Sequence, residues 1–401
     1  MSDSDPAIRD QGDTPEARAR RRAAARRRAV GRRRLAALGA GALVALIAGL
    51  AAGAGDDAGG DGEPAAAVET PQQQRLAAAR EAVDRLSLRE QVGQVTISSF
   101  PGTARPEYIR RRLRARETAG VILFGSNGGD RAAWTRLTRS LQQAGHGRAL
   151  IMVDQEGGDI RTVGHVGPSS GQPFQGSPAA VRRLARATGR GLRRAGINVN
   201  LAPVADVPRP GSVMSSRAFE GDERGVAART RASVRGLRSA RVAATAKHFP
   251  GLGGATVNTD DGPATVRTPI ARDLIPFRAA IGEAVPLVML SHASYPELDA
   301  RRIASQSRAI VTGLLRQRLG FEGVIVTDSL EAQAVLARSG VAEAAERSIR
   351  AGADLILMTG SASWNDVFPR LLAEARANPA FRKRIRDSAA RVLALKRALL
   401  R

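Results

Sequence analysis

The chain has 401 residues, of which 43% are apolar, so it is long enough to form a large globular domain with a buried core. It contains no cysteine, which excludes disulfides, thiolate nucleophiles, cysteine-ligated metal ions and acylated lipoprotein anchoring. The formal net charge of +24 raises the question of nucleic-acid binding, but no RNA- or DNA-binding motif accompanies the charge.

The positive charge is spread along the chain. Residues 1–34 carry eleven arginines and five acidic residues, whereas residues 35–70 carry five acidic residues and no basic one. Most of the excess therefore follows residue 70, where arginine dominates and only Lys247, Lys383 and Lys396 are lysines. Compositional bias of the source explains this most simply, and attraction to an anionic surface such as a cell wall or membrane is the alternative. We predict no nucleic-acid partner.

Three segments precede the predicted globular domain. Residues 1–34 form an arginine-rich tail, and residues 35–55 form an uncharged run that is long enough, at ~1.5 Å per residue, to cross a ~30 Å hydrocarbon layer. Because positive residues flank only its amino side, the run is interpreted as a single-pass membrane anchor with a cytoplasmic N-terminus and an extracytoplasmic body. A cleaved signal segment followed by secretion is the alternative. Residues 56–72, acidic and rich in Gly, Ala and Pro, are predicted to be a flexible linker.

The globular domain is predicted to span residues 73–401. It opens with a helical pattern over residues 75–94, in which Ser87 precedes Glu90 at the spacing of a capping box. Apolar strand-like runs then alternate with longer amphipathic stretches. The predicted strands are residues 95–98, 120–124, 149–153, 199–202, 243–246, 287–290, 323–327 and 354–358.

Eight strands separated by helices predict a (β/α)₈ barrel of the TIM type, in the α/β fold class. A doubly wound open sheet is the alternative, but the Gly-x-Gly-x-x-Gly turn that such a sheet normally carries is absent. Functional side chains of a barrel collect where its strands end. Polar and ionisable residues do follow successive predicted strands, in the motifs "DQEGGDIR", "APVADV", "KHFPG", "SHASYP" and "TDSL".

Asp328 is the candidate for a covalent role. It follows the apolar strand "GVIVT" and precedes "SLEAQAV", which reads as the start of a helix, so it would be held rigidly at the mouth of the barrel. A carboxylate in that place can attack an anomeric carbon and form a glycosyl-enzyme ester, as retaining glycosidases require. A helix N-cap is the alternative for an Asp at this position.

Four further residues are candidates for ligand contacts. Asp154 and Arg161, in "DQEGGDIR", offer an acceptor for two sugar hydroxyls and a planar donor fork, with an internal salt bridge as the alternative. Lys247 and His248 end the fifth strand and open a glycine-rich loop, and both can donate to hydroxyls. A lone histidine is more often structural, but the adjacent pair in this place favours ligand contact. Nothing in the spacing of the other histidines points to a role.

Nine motifs in chain order give the domain a family resemblance. They are "GVILFGSN", "DQEGGDIR", "INVNLAPVADV", "RAFEGD", "AKHFPGLG", "DLIPFRAAI", "VMLSHASYPELD", "LGFEGVIVTDSL" and "AGADLILM". From about residue 73 to its end, the chain resembles a family 3 glycoside hydrolase of the single-domain β-N-acetylglucosaminidase type. The resemblance implies that Asp328 is the nucleophile and that Asp154, Arg217, Lys247 and His248 contact the sugar next to the scissile bond. Arg217 comes from the resemblance alone.

The resemblance fails in the stretch "KHFPGLGGATVNTDD", residues 247–261. Relatives of this type usually read Lys-His-Phe-Pro-Gly-His-Gly, a short spacer and then Asp-Ser-His, whose histidine is the general acid/base. Here Leu252 replaces the first variable histidine, and the Asp-Ser-His positions read Asn258, Thr259 and Asp260. The expected acid/base histidine is therefore missing.

Three explanations remain open. Asp260, or its neighbour Asp261, transfers the proton directly, with Asn258 orienting the carboxyl group by a hydrogen bond. Alternatively, catalysis is slow or restricted to activated leaving groups. In the third, the chain is a catalytically weak or inactive barrel that binds glycan outside the cytoplasm.

We therefore expect a retaining glycosidase that removes terminal β-linked N-acetylhexosamine residues, such as N-acetylglucosamine, from cell-wall-derived glycans. Its expected partners are a carbohydrate substrate, for which muropeptides are one candidate, and the membrane, which residues 35–55 would contact. No cofactor and no metal ion are predicted, because the carboxylates are scattered among arginines without ligand spacing.

Overall fold

Eight short parallel strands close into a barrel within residues 71–400, the part of the chain that the computed structural model describes. Each strand pairs with its neighbours in chain order, and the last pairs with the first. The strands are β1 Thr96–Ser98, β2 Gly120–Ile122, β3 Leu150–Val153, β4 Val199–Asn200, β5 Ala243–Phe249, β6 Leu287–Leu290, β7 Val324–Ser329 and β8 Leu355–Leu357. The predicted barrel is confirmed, and every predicted strand overlaps an observed one.

Two strands run further than their apolar runs suggest. Strand β5 continues through Lys247 and His248 to Phe249, and β7 includes Asp328 and ends at Ser329. Lys247 and His248 stay in a buried strand because their polar groups find buried carboxylates there. The strand ends thus deliver ionisable side chains to the mouth of the barrel.

Helices surround the barrel. They are α1 Pro71–Asp84, α2 Leu88–Gly93, α3 Glu107–Arg114, α4 Arg131–Ala144, α5 Pro178–Arg194, α6 Glu223–Ser239, α7 Ile270–Gly282, α8 Gln333–Leu336, α9 Val341–Ala351, α10 Trp364–Ala377 and α11 Pro379–Leu399, with a π-helix at Ala309–Arg318 between β6 and β7. The predicted capping box is confirmed, because Ser87 and Glu90 exchange hydrogen bonds at the start of α2. Side chains of Asp130, Ser177 and Asp222 cap α4, α5 and α6, each by accepting one hydrogen bond from a backbone N–H of the first turn.

The barrel interior is a packed apolar core. Side chains such as Ile97, Met152 and Leu287 fill it, and all are fully buried. The last turns of α11 join this core through Leu395 and Leu399, so the helix covers the end of the barrel where the strands begin. The barrel core is therefore packed against α11 at that end, and the functional pocket of such a barrel is expected at the opposite end.

A buried ion cluster ties α11 to the same end of the barrel. Asp354, which precedes β8, is completely buried and pairs with Arg316 at 2.6 Å, Arg384 at 2.7 Å and Arg391 at 3.3 Å. It also accepts a hydrogen bond from the backbone N–H of Ile325, at 3.0 Å. The carboxylate of Asp354 therefore links the π-helix, α11 and strand β7 to the start of β8.

The segments predicted at residues 1–34 and 35–55 lie outside the described residues, as does most of the predicted linker. Helix α1 begins at Pro71, which falls within the last two residues assigned to that linker. Between residues 71 and 400, none of the helices combines the length and the hydropathy needed to span a membrane.

Candidate active site

A pocket of about 520 Å³ lies at the carboxyl ends of the strands. Its lining includes most of the predicted site residues: Asp154, Arg161, Arg217, Lys247, His248, Asn258, Asp260 and Asp328. Of the predicted site residues, only Asp261 is not part of this lining, and its side chain is exposed. Strand ends that are far apart in sequence thus converge on one cavity.

A buried charge network forms one side of the pocket. Lys247 Nζ lies 2.6 Å from Asp154 Oδ1 and 2.8 Å from Glu156 Oε1. Arg217 holds Glu156 with two hydrogen bonds, from Nε at 3.0 Å and from the guanidinium NH2 group at 2.7 Å. The side chain of Glu156 is only 2% exposed, whereas that of Asp154 is 27% exposed. Asp154 is therefore the carboxylate of the network that is open to a ligand.

These neighbours keep the network charged. Burial alone would raise the pKa of Glu156, but Lys247 and Arg217 outweigh burial and lower it to about 2. Burial alone would lower the pKa of Lys247, but Asp154 and Glu156 outweigh it and raise that pKa. The pKa of Arg217 is likewise raised, because Glu156 more than offsets burial. A ligand in the pocket meets fixed cationic donors and an anionic acceptor.

His248 is held by a buried aspartate. Asp206, which is completely buried, accepts hydrogen bonds from His248 Nδ1 at 2.8 Å and from the backbone N–H groups of His248 at 3.1 Å and Leu252 at 2.6 Å. Because Nδ1 is engaged with Asp206, the other ring nitrogen, Nε2, faces Asp328 Oδ2 at 3.8 Å. Leu252, at the position of the missing histidine, is itself buried and lines the pocket.

Asp328 projects into the same cavity from the end of β7. Its Oδ1 accepts a hydrogen bond from the backbone N–H of Ser329 at 2.8 Å, and its side chain is 21% exposed. Burial alone would raise the pKa of Asp328, but His248, His292 and Lys247 together lower it below its usual value. The group is thus an anionic, positioned carboxylate with one oxygen, Oδ2, free of hydrogen bonds within residues 71–400.

Asp260 reaches the pocket on the loop that follows β5. The loop is docked against α8, because the backbone N–H of Gln333 donates to Asp260 O at 3.2 Å and that of Ala334 donates to Thr259 O at 3.0 Å. Asn258 Oδ1 accepts a hydrogen bond from the backbone N–H of Asp260 at 3.3 Å. The orienting contact expected of Asn258 therefore reaches the backbone of Asp260 and not its carboxyl group.

The environment of Asp260 favours its protonated form. The side chain of Asp260 is exposed at the pocket mouth, but the walls of the pocket partly desolvate its carboxyl group, and this raises its pKa. The carboxylate of Asp328 raises it further, while His248, Arg217 and His292 act in the opposite direction. Two nearby carboxyl groups are thus driven apart in pKa, with Asp328 anionic and Asp260 the more readily protonated.

Arg161 stands at the rim of the pocket. It belongs to the short hairpin of Gln155–Gly157 and Ile160–Arg161, and its side chain is exposed. The salt bridge with Asp154 that the sequence offered as an alternative is not found, since Asp154 pairs with Lys247. The guanidinium of Arg161 is therefore available to a ligand at the entrance.

Two carboxylates that hold other side chains of the pocket, Glu156 and Asp206, are not among the residues predicted from the sequence. Both lie in motifs that were singled out, "DQEGGDIR" and "APVADV", but neither carboxylate was assigned a contact. The signal for Glu156 was an acidic residue two positions from Asp154, which in a regular strand would share its face. For Asp206 the signal is a single acidic residue in the otherwise apolar segment "APVADV" that follows the fourth strand.

His292 lies behind Asp328, fully buried after β6. Its Nδ1 is 2.7 Å from Ser305 Oγ, and its Nε2 has no hydrogen-bond partner within the described part of the chain. Burial lowers its pKa, partly offset by Asp328. Across residues 71–400 we find no group of three His, Asp or Glu side chains arranged to hold a metal ion.

Comparison with known proteins places this geometry in a family. Residues 87–395 match the family model described as the glycosyl hydrolase family 3 N terminal domain. The chain belongs to glycosyl hydrolase family 3. This confirms the resemblance predicted from the sequence motifs, and the protein is a glycoside hydrolase.

Individual relatives of this chain carry the names of β-hexosaminidases and β-N-acetylglucosaminidases. A protein named β-hexosaminidase from Xanthomonas oryzae pv. oryzae is 33% identical over 288 residues, covering 68% of this chain and 84% of the relative. The structure of a family 3 β-N-acetylglucosaminidase from Paenibacillus sp. is 34% identical with a TM-score of 0.75, covering 78% of this chain and 62% of that one. A β-N-acetylhexosaminidase from Beutenbergia cavernae is 31% identical with a TM-score of 0.72, covering 78% and 98% of the two chains.

Proposed function

We propose that this family 3 hydrolase removes terminal β-linked N-acetylhexosamine residues, such as N-acetylglucosamine, with retention of configuration. The substrate class is taken from the names of the relatives, a β-hexosaminidase and a β-N-acetylglucosaminidase. One observation carries the mechanism: an anionic Asp328 and a more readily protonated Asp260 line the same cavity as the polar contacts Asp154 and Lys247.

In the first step, Asp328 is the nucleophile. Its Oδ2 forms a bond to the anomeric carbon while the bond from that carbon to the leaving oxygen breaks. Asp260 gives its proton to the leaving oxygen, so the aglycone departs neutral and Asp260 becomes anionic. Lys247, Asp154, Arg217 and His248 hold the hydroxyl groups of the sugar during this step.

In the second step, Asp260 acts as a general base instead of a general acid. Its carboxylate takes a proton from a water molecule, whose oxygen bonds to the anomeric carbon. The bond to Asp328 breaks, and its electron pair returns to the carboxylate. Both carboxyl groups are then in their starting states, and the sugar has kept its β configuration.

Asp260 occupies the position where relatives of this type usually carry the acid/base histidine. Its raised pKa and its place in the pocket lining support direct proton transfer. Asp261 is not part of the pocket lining. The alternative function, glycan binding with little or no turnover, would follow if Asp260 could not serve as an acid.

Steady-state hydrolysis of aryl β-N-acetylglucosaminides of graded leaving-group acidity tests the proposal. In the full chain we expect Asp328→Ala to abolish turnover of every substrate. Asp260→Ala should lose about 10²–10⁴-fold on poor leaving groups and little on activated ones, because only poor leaving groups need the acid. Asp261→Ala is the matched control and should resemble the parent enzyme.

The pH profile gives a second measure of the same roles. Activity should fall at low pH as Asp328 becomes protonated, and at high pH as Asp260 loses its proton, so kcat/KM should be bell-shaped. The alkaline limb should be seen with poor leaving groups; with an activated substrate, the parent and Asp260→Asn should both keep the acid limb and lack the alkaline one. Full activity of Asp328→Ala would refute the nucleophile, and sugar binding without any turnover would favour the binding function.

We further propose that the natural substrates are cell-wall-derived glycans met outside the cytoplasm, with residues 35–55 as membrane anchor. The support is the uncharged run with positive residues on its amino side only. Release of N-acetylglucosamine from muropeptides by the full chain would support this source. A barrel that external protease cannot reach in spheroplasts would contradict the location.

A further inference from the structure

A second cavity opens at the amino-terminal end of the barrel, opposite the active site. This basal pocket has a volume of about 680 Å³ and shares no lining residue with the active-site cavity. Its walls come from the end of α1, the turns before β2 and β3, and the last turns of α11. Nothing in the proposed hydrolysis uses it.

The lining of the basal pocket is cationic. It contains the charged side chains of Arg85, Arg116, Arg148, Lys396 and Arg397, and none of its residues is acidic. Within residues 71–400 only Arg116 among these five forms an ion pair, with Glu90 at 3.2 Å. Five basic side chains therefore surround one cavity whose lining carries no carboxylate.

Some arginines on other surfaces of this chain are neutralised by a carboxylate. Glu283, for example, lies within ion-pair distance of Arg231, Arg235 and Arg238. Compositional bias towards arginine explains many exposed cations, but it does not explain a concave surface from which carboxylates are missing. The basal pocket thus differs from the Glu283 cluster in geometry and in pairing.

Lys396 is buried in the wall of the basal pocket and has no carboxylate partner there. It is only 7% exposed, it lines the pocket, and its Nζ donates to Gln94 Oε1 at 2.7 Å. Burial, together with the positive charges of Arg148 and Arg116, lowers its pKa to about 7. A buried ammonium group without a carboxylate is costly, and an anion beside it would remove much of that cost.

We propose that the basal pocket binds a phosphate-bearing ligand, with Lys396 at its base and the arginines around its rim. Guanidinium groups match phosphate oxygens in pairs, and the ammonium group supplies a point charge. Leu86, Leu113, Leu393 and Leu400 complete the wall, so the pocket has an apolar part and is larger than a bare ion requires. The ligand is therefore a phosphate carried on a larger organic group.

Calorimetric titration of the full chain in nonionic detergent with inorganic phosphate, at constant ionic strength, tests the site. We expect saturable binding that Lys396→Met weakens at least tenfold, because one charge-assisted contact is lost. Lys383→Met is the matched control, since Lys383 lies on the same helix, is exposed and pairs with Asp387 at 3.0 Å. Its phosphate affinity should equal that of the parent.

Further variants keep the test independent of folding and of catalysis. Arg148 is exposed and has no ion pair within the described residues, so Arg148→Gln should fold normally and also weaken phosphate binding. Hydrolysis of an aryl substrate should be unchanged in both basal variants, because the active site is at the other end. Absence of saturable phosphate binding, or equal loss in Lys396→Met and Lys383→Met, would overturn the proposal.

Two probes separate the sources of the phosphate. Glycerol phosphate represents a soluble phosphomonoester, and dihexanoyl phosphatidylglycerol represents a lipid headgroup with apolar chains. Tighter Lys396-dependent binding of the first would assign the site to a soluble metabolite, and tighter binding of the second to a membrane lipid. Either result supports a phosphate site.

Discussion

At the scale of single residues, the pocket depends on a carboxylate that no substrate would touch. Glu156 is enclosed by Lys247 and Arg217, and the three groups compensate one another's charge in a buried place. The cationic donors proposed to contact the sugar are therefore positioned by Glu156 as much as by the strands that carry them.

Replacement of Glu156 by Gln tests this positioning. The change leaves two buried cations with one fewer anion, so we expect unfolding free energy to fall by about 3 kcal/mol. We also expect kcat/KM for aryl β-N-acetylglucosaminides to fall about 10–100-fold, mainly through KM, because Lys247 and Arg217 lose their fixed positions. Thermal denaturation and steady-state kinetics measure the two effects.

Glu283→Gln provides the control for this variant. Glu283 accepts two hydrogen bonds from Arg235, at 2.7 and 2.5 Å, but it lies outside the pocket. Its replacement should leave the kinetics unchanged. An unchanged KM in Glu156→Gln would show that the pairing is only structural.

Site residues could be predicted from the sequence where they lie in a recognisable motif or at the end of a predicted strand. Asp328, Lys247 and His248 were found because each ends an apolar strand. Glu156 and Asp206 were missed because their importance lies in partners that are distant in sequence, which no local pattern reveals. Arg217 lies in an irregular loop between β4 and α6, where only the family resemblance pointed to it.

At the scale of elements, the loop after β5 brings Asp260 to the pocket. It is fixed at two places: its Thr259–Asp260 backbone bonds to α8, and Gly253 packs directly on the backbone carbonyl of Val207. Tyr295 adds a hydrogen bond from its hydroxyl group to Gly251 O, at 3.0 Å. The acid proposed for catalysis is therefore placed by the packing of the loop.

Gly253→Ala should displace this loop. A methyl group at Gly253 would clash with the carbonyl oxygen of Val207, which belongs to the backbone and has little freedom to move. We expect a loss of about 10–100-fold in kcat/KM on poor leaving groups and a smaller loss on activated ones, because the acid is misplaced while Asp328 is not. Leaving-group dependence of kcat/KM is the measurement.

Gly262→Ala, on the same loop, is the matched control. There the added methyl group would meet Val257 at 3.5 Å, an ordinary contact, so the kinetics should stay close to those of the parent. If Gly253→Ala lost equal activity on all substrates, the loop would act on sugar binding and not on proton transfer.

The elements were largely predictable, and the exceptions have a physical cause. Buried parallel strands are apolar runs bounded by polar residues, so all eight were visible in the sequence. The hairpin of Ser294–Tyr295 and Asp299–Ile303 was not predicted, because its short strands alternate neither cleanly nor over enough residues. Extension of β5 to Phe249 also depended on buried partners that lie elsewhere in the chain.

At the scale of the whole molecule, the two ends of the barrel have different tasks. The carboxyl end carries the ionisable groups of the active-site pocket, and at the amino end α11 and the ion cluster of Asp354 cover the barrel core. Changes in this cluster should therefore alter stability and leave the chemistry intact.

Asp354→Asn tests this division. Three arginines would lose a completely buried anion, so we expect the free energy of unfolding to fall by about 3–5 kcal/mol. At a temperature well below unfolding, kcat/KM should stay within about twofold of the parent value.

The pH dependence of stability tests the same carboxylate. Burial alone would raise the pKa of Asp354, but Arg316, Arg391 and Arg384 lower it from its usual 3.8 to about 2. A carboxyl group with a lowered pKa stabilises the fold above its unfolded-state pKa, and this contribution is lost as the pH falls through the folded-state value. The difference in melting temperature between the parent and Asp354→Asn should thus be full at pH 6 and shrink between about pH 4 and pH 2. A difference that persisted undiminished at pH 2 would show that the asparagine acts through packing, and a large loss of kcat/KM would show that the two ends are coupled.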